Sequence, residues 1–210
     1  MEKRARGVQR GQREQQPEAG VHPLLAKEVE SAAAIVANGG VILYPTDTVW
    51  GIGCDATNAA AVAKVFEIKQ RAESKSLILL AADMDMVCRY VRQIPEIAID
   101  LVEVNDKPMT IIYPGAMGLA EGVVAEDGSV GIRIPDNDFC RMLIRRIRRP
   151  LVSTSANISG EATPKRFEEI SSAVKESVDH IVDPRLDKST HKASQIIKVG
   201  LKGEIEILRK

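Results

Sequence analysis

Apolar runs of four or five residues, most closed by a proline or a polar turn, alternate along this chain with stretches of helical spacing. Val41–Tyr44 stops at Pro45, Met109–Tyr113 at Pro114-Gly115 and Val130–Ile134 at Pro135; Leu77–Leu80 and Leu151–Ser155 complete the set. A run that is apolar at nearly every position fits a strand covered on both faces. Between these runs, Leu24, Val29, Ala32 and Val36 share a helix face that Asn38-Gly39-Gly40 ends. Asn58 is placed to cap a second helix with Val62, Val65 and Phe66 on its stripe. Further helices are predicted near Asp85–Val91, Glu96–Val104, Phe139–Ile147 and Phe167–Val178. Strands are predicted near Ile181, Gln195–Val199 and Glu204–Leu208, the last two joined by a turn containing Gly200 and Gly203. Strands alternating with helices specify an α/β layered domain.

The chain has 210 residues and shows no internal repeat or inner linker, so one domain over 21–210 is expected. Residues 1–20 read as a disordered polar tail, with contact to RNA as its rival. That tail has no apolar core and no run approaches a membrane span, so a cytoplasmic protein without membrane attachment is expected. Apolar residues make up 44% but aromatics only 3%, so the core must be aliphatic. Lys and Arg number 29 against 29 Asp and Glu, a balance that argues against a binder of long nucleic acid. Cys54, Cys88 and Cys140 form no CxxC pair and are expected as buried free thiols. The three histidines have no metal-ligand spacing, and no metal site is predicted.

Three polar segments interrupt this apolar frame. In Tyr44-Pro45-Thr46-Asp47-Thr48-Val49-Trp50-Gly51, an extended backbone would turn Tyr44, Thr46 and Thr48 one way and Asp47 the other. Those hydroxyls would then lie where open α/β sheets place ligands, or else form a polar turn. Lys69-Gln70-Arg71 follows the second helix and offers two cations, suited either to phosphate and carboxylate oxygens or to a solvated helix cap. Ser153-Thr154-Ser155-Ala156-Asn157 would set two hydroxyls and an amide in a row, as an oxygen-orienting edge or as a turn. Arg133, in the strand Val130–Ile134, points away from its apolar neighbours and needs an anionic partner. Arg141, Arg145, Arg146, Arg148 and Arg149 lack interleaved aromatics and read as a solvated face, with RNA backbone contact as the alternative. No GxxxxGK[ST] loop, GxGxxG or GxSxG elbow is present, so neither a standard phosphate loop nor a serine nucleophile is expected.

Taken together, Tyr44-Pro45-Thr46-Asp47-Thr48-Val49-Trp50-Gly51-Ile52-Gly53, the Lys69-x-Arg71 pair, Arg133 in Val-Gly-Ile-Arg-Ile-Pro and Ser155-x-Asn157 resemble the YrdC-like threonylcarbamoyl-AMP synthase family. The resemblance covers about Leu24 to Arg209. It implies a single α/β domain with a twisted mixed sheet, flanking helices and a basic cavity. The implied reaction joins L-threonine, bicarbonate and ATP into threonylcarbamoyl-AMP with release of pyrophosphate, Mg²⁺ being carried with ATP. Partner proteins would then complete a tRNA modification. By the same resemblance Thr48, Arg133 and Ser153 fall on threonine-holding positions. Arg71, Ser129, Ser155, Thr163 and Arg209 fall on nucleotide-binding ones, and Lys69 and Asn157 complete the signature, so that Lys69, Arg71, Ser155 and Asn157 are the implied catalytic set.

The chain departs from the family pattern at Lys75, where a nucleotide-binding Asn is usual, and at Leu80, where a threonine-holding His is usual. These changes resemble YciO-like relatives and keep open a different carbamoylated or adenylated substrate. A double-stranded RNA-binding module without catalysis, centred on the Arg141–Arg149 cluster and the N-terminal tail, is the alternative from another class.

Overall fold

His22 and Pro23 open the first element for reasons visible in the chain: the His22 side chain accepts from Leu24 N and the proline occupies the first turn. A computed structural model describes residues 22–70 and 77–210, so the tail expected over 1–20 and the residues Arg71 and Lys75 lie outside the described residues. Helix α1 (Pro23–Ala37) leads to β1 (Ile42–Tyr44), β2 (Gly51–Gly53) and α2 (Ala59–Lys69). Asn58 caps α2 by accepting from Ala61 N, as its side chain predicts. Next come β3 (Ile78–Leu80), α3 (Met84–Tyr90), α4 (Glu96–Val104), β4 (Met109–Tyr113) and β5 (Val130–Arg133). Helix α5 (Asp138–Ile147), β6 (Leu151–Ser155), α6 (Ser172–Ser177), β7 (His180–Ile181), β8 (Gln195–Val199) and β9 (Ile205–Arg209) complete the described part.

The strands form one mixed sheet in the order β7-β1-β2-β6-β3-β5-β4-β8-β9. Pairs β1/β7, β3/β5 and β4/β8 are parallel and the others antiparallel. This is the α/β class that the alternation predicts. Its core is aliphatic, with Ile42, Leu43, Ile52, Leu79, Leu80 and Leu151 fully buried around Tyr44 and Trp50. Leu80 is part of that core, packed in register between Arg133 on β5 and Leu151 on β6. Helix α1 lies against α5, and their apolar faces cover one flank of the sheet.

Strand β2 was hidden in the sequence because two of its three residues are glycine, which ordinarily weakens a strand. Packing explains the choice at Gly53. A β-carbon there would sit 2.1 Å from the Val152 carbonyl oxygen and 2.7 Å from Cε1 of Tyr44. The Tyr44 ring crosses its neighbour strand at this point and its hydroxyl donates to Val152 O at 2.9 Å.

Two local expectations are corrected. The single helix expected over Phe167–Val178 is broken into a 3-10 turn at Phe167–Glu169 and α6. Ile170 is extended, and the Ser171 side chain caps α6 by accepting from Val174 N, so the polar cap outcompetes a continuous apolar stripe. Of the three thiols expected to be buried, Cys54 and Cys140 are, whereas Cys88 is exposed on α3. Burial pushes the Cys54 thiol up to about 12 and the Cys140 thiol higher, which removes both as nucleophiles at neutral pH.

Candidate active site

The segment between β1 and β2 is a turn built by its own hydroxyls. Thr46 Oγ1 accepts from the backbone N–H groups of Thr48 and Val49 and donates to Val49 O at 2.8 Å. The extended reading that sent Asp47 away from Thr48 is therefore wrong: the turn swings both toward β5. There the Arg133 guanidinium meets the Asp47 carboxylate through Nη1 and Thr48 Oγ1, at 3.2 Å, through Nη2. Arg133 is 4% exposed and Asp47 7%, so the anionic partner that an arginine in an apolar strand requires is supplied by Asp47.

The second centre joins α2 to the end of β6. Helix α2 runs through Lys69, one residue further than the sequence suggests, and Gln70 closes it in the left-handed region at φ 47°. A solvated cap is excluded, because Lys69 is only 2% exposed. Its ammonium donates to Ser155 O at 2.6 Å and to Asn157 Oδ1 at 3.1 Å. Ser155 Oγ donates to the same Asn157 oxygen at 2.5 Å, and Asn157 Nδ2 donates to Glu161 O at 2.8 Å. Ser159 N closes the tie by donating to Lys69 O at 2.8 Å.

Between these two centres lies a cavity of about 390 Å³ over the face of β3, β5 and β6. Thr48, Arg133 and Ser153, expected on the threonine side, all line it. So do Ser129, Ser155, Thr163 and Arg209, expected on the nucleotide side. Lys69 and Asn157 stand behind Ser155 rather than on the wall, and Arg71 lies outside the described residues. Ile78, Ile112 and Gly131 supply an apolar floor, against which a wall of hydroxyls and two guanidiniums is set.

Arg209 reaches the cavity from the edge strand β9, with Nε on Ser194 O at 2.8 Å and Nη2 on Ser194 Oγ at 3.3 Å. Ser194 Oγ in turn meets Thr110 Oγ1 at 2.8 Å, and both residues line the cavity. Sequence reasoning missed Thr110, Ser194 and Asp47. The only signal for the first two was a hydroxyl inside or just before an otherwise apolar run. Burial and the charge of Arg133 pull the Arg209 guanidinium down from its ordinary value. Arg209 and Arg133 thus both bring a guanidinium to the cavity, the latter paired behind by Asp47.

The Arg141–Arg149 cluster is elsewhere and largely engaged. Arg141 pairs with Asp136, Arg146 with Glu30 through two hydrogen bonds, and Arg149 with Asp55 at 3.2 Å. With three of its five arginines paired to carboxylates, it makes a poorer track for a phosphate backbone than five unpaired cations would. Among the described residues no group of three or more His, Cys, Asp or Glu is arranged to hold a metal ion, and no helix is long and apolar enough to cross a membrane.

Comparison with known proteins gives the family and the fold. The Sua5/YciO/YrdC family profile, described as telomere recombination, matches residues 34–210. The threonylcarbamoyl-AMP synthase of Pseudoalteromonas translucida (strain TAC 125) is 32% identical over 180 residues, 84% of this chain and 95% of that relative. That of Stenotrophomonas maltophilia (strain K279a) is 37% identical over 158 residues, 74% of this chain and 85% of that relative. P. abyssi Sua5 complexed with L-threonine superposes with a TM-score of 0.75 at 26% identity, over 81% of this chain and 50% of that one. The chain thus spans about half the length of that structure. E. coli YciO shares the fold, with a TM-score of 0.72 at 23% identity over 88% of this chain and 89% of that one.

Proposed function

Since the chain belongs to the Sua5/YciO/YrdC family, we propose that it is a threonylcarbamoyl-AMP synthase, as its curated relatives are called. It makes threonylcarbamoyl-AMP from L-threonine, bicarbonate and ATP and releases pyrophosphate. The observation that carries this reading is the single cavity onto which Thr48, Arg133, Ser153, Ser155 and Arg209 converge.

The threonine amine adds to bicarbonate and water leaves, giving a carbamate. A carbamate oxygen then attacks the α-phosphorus of ATP, and the bond to the β-phosphate oxygen breaks to release pyrophosphate. Both reactants are anionic, so the barrier is dominated by charge repulsion and by bringing two groups into line. Fixed cations and oriented hydroxyls address both problems without any protein nucleophile. In this reading Arg133, Thr48 and Ser153 hold threonine, while Ser129, Ser155, Thr163 and Arg209 hold the nucleotide. Lys69 and Asn157 shape the Ser155 turn, and Arg71 adds a further cation.

Among the described residues the cavity is lined by hydroxyls, guanidiniums and apolar side chains and by no carboxylate, and the buried Asp47 behind Arg133 is engaged by it. Such a set does not suit a protein-held Mg²⁺, which in this proposal stays on the phosphates of ATP. A cytoplasmic site of action and hand-over to partner proteins that modify tRNA complete the proposal. Threonine-dependent pyrophosphate release from the purified chain with ATP, bicarbonate and Mg²⁺ tests it. Pyrophosphate that ignores threonine, or none at all, would overturn it.

A further inference from the structure

Asp47 lines no part of the cavity wall; it stands behind Arg133 and bounds a separate hollow on the other side with Asp136 and Arg141. Every acceptor on it is nonetheless committed. One carboxylate oxygen faces Arg133 Nη1, and the other accepts Asp136 N at 3.1 Å. Its backbone oxygen accepts both Thr190 N, at 3.0 Å, and Thr190 Oγ1, at 3.1 Å. Three residues from two distant segments, 133–136 and Thr190, thus pin one residue, which is more restraint than a turn between two short strands needs.

The hydroxyls downstream of Asp47 are held in place. Thr46 Oγ1 takes the backbone N–H groups of Thr48 and Val49 and lies 2.9 Å from Thr48 Oγ1. Thr48 Oγ1 in turn accepts Arg133 Nη2 at 3.2 Å, so its hydroxyl is fixed from two sides where it lines the cavity. The chain Asp47–Arg133–Thr48–Thr46 presents a guanidinium face to an anion and, beside it, a fixed hydroxyl to a second polar group. An α-amino acid carries these two functions on one carbon.

We propose that Asp47 is a positioning residue for the amino-acid substrate, aiming Arg133 at its carboxylate and holding the Thr48 hydroxyl against its amine or side-chain hydroxyl. This inference rests on the threonine reading of the cavity and adds a residue that touches no substrate. A carboxylate is needed because both of its oxygens accept: an amide would set a donor against either the Arg133 guanidinium or the Asp136 N–H.

The test is steady-state pyrophosphate release with each substrate varied in turn. Asp47→Asn should raise the KM for threonine by about tenfold or more, the worth of a misaimed charged hydrogen bond, while the KM for ATP stays within about twofold. Asp47→Glu keeps the charge on a longer arm and should show the same split with its melting temperature preserved, so it carries the test if the asparagine variant does not fold. Unchanged threonine KM in a folded variant, or threonine and ATP KM rising together, would overturn the positioning role. A wild-type chain that releases no threonine-dependent pyrophosphate would instead overturn the functional reading beneath it.

Discussion

The Lys69 ammonium lies 3.1 Å from the side-chain oxygen of Asn157, tying the last residue of α2 to the turn that follows β6. Both residues are buried, at 2% and 9% exposure, and 88 positions apart in the chain. Ser155, which lines the cavity, is held between them. The signature pair thus acts first as a brace for a cavity residue.

Lys69→Met should therefore cost stability as well as activity. It leaves the Ser155 carbonyl and the Asn157 oxygen short of a donor, a loss of about 1–3 kcal/mol in denaturant unfolding. Pyrophosphate release should fall with it. Lys69→Arg should not restore either, because a planar fork does not fit where a compact ammonium is enclosed. Full activity in the arginine variant would contradict the brace.

Arg209 stands on an outer strand whose residues are exposed, and only its guanidinium end is partly enclosed, against Ser194, so little apolar packing depends on it. Arg209→Ala should leave the melting temperature nearly unchanged. Loss of a cation from the cavity should weaken ATP by about 10- to 100-fold, as expected for a hydrogen bond to a charged group. Isothermal titration with ATP gives the comparison, and an unaltered affinity would remove Arg209 from the nucleotide side.

Gly53→Ala probes the fold beneath the site. The new methyl would meet Val152 O at 2.1 Å and Tyr44 Cε1 at 2.7 Å, neither of which can retreat from the fully buried core. Overpacking of this kind costs about 1–3 kcal/mol, or a melting temperature lower by about 5 °C. A melting temperature equal to the wild type would show that β1 and β2 can separate without loss.

Asp127 sets an acid-side dependence. Its hydrogen bonds to Lys198 and Ser129, with the Lys198 charge beside it, hold its carboxyl at about 2, below the usual 3.8. A carboxyl depressed in the folded state stabilises it above the unfolded value, and that contribution is lost as pH falls toward the folded one. Between about pH 4 and pH 2 the wild type should therefore lose more stability than Asp127→Asn. Equal slopes in acid-dependent melting would dismiss the contribution. Because Ser129 lines the cavity, the same variant should also weaken ATP modestly.

Much of this molecule is readable along the chain, because strands, helix stripes and caps arise from neighbours within a few residues. Asn58 as a cap, the runs that became β4, β5 and β6, and the demand of Arg133 for an anion are all local statements. The motif segments stand out along the chain, and the resemblance to a family supplies the roles expected of their residues. What tertiary structure decided was who meets whom. Arg133 finds Asp47 across 86 positions because the sheet order sets β5 two strands from β6 and brings the β1–β2 turn over its end. Gly53 is needed because Val152 O on β6 and the Tyr44 ring both press against it, and Ser194 enters the site because β8 lies beside β4 and carries it to Thr110. Local periodicity chose the elements; the long-range hydrogen bonds of the sheet chose their partners, and no short window of sequence contains those.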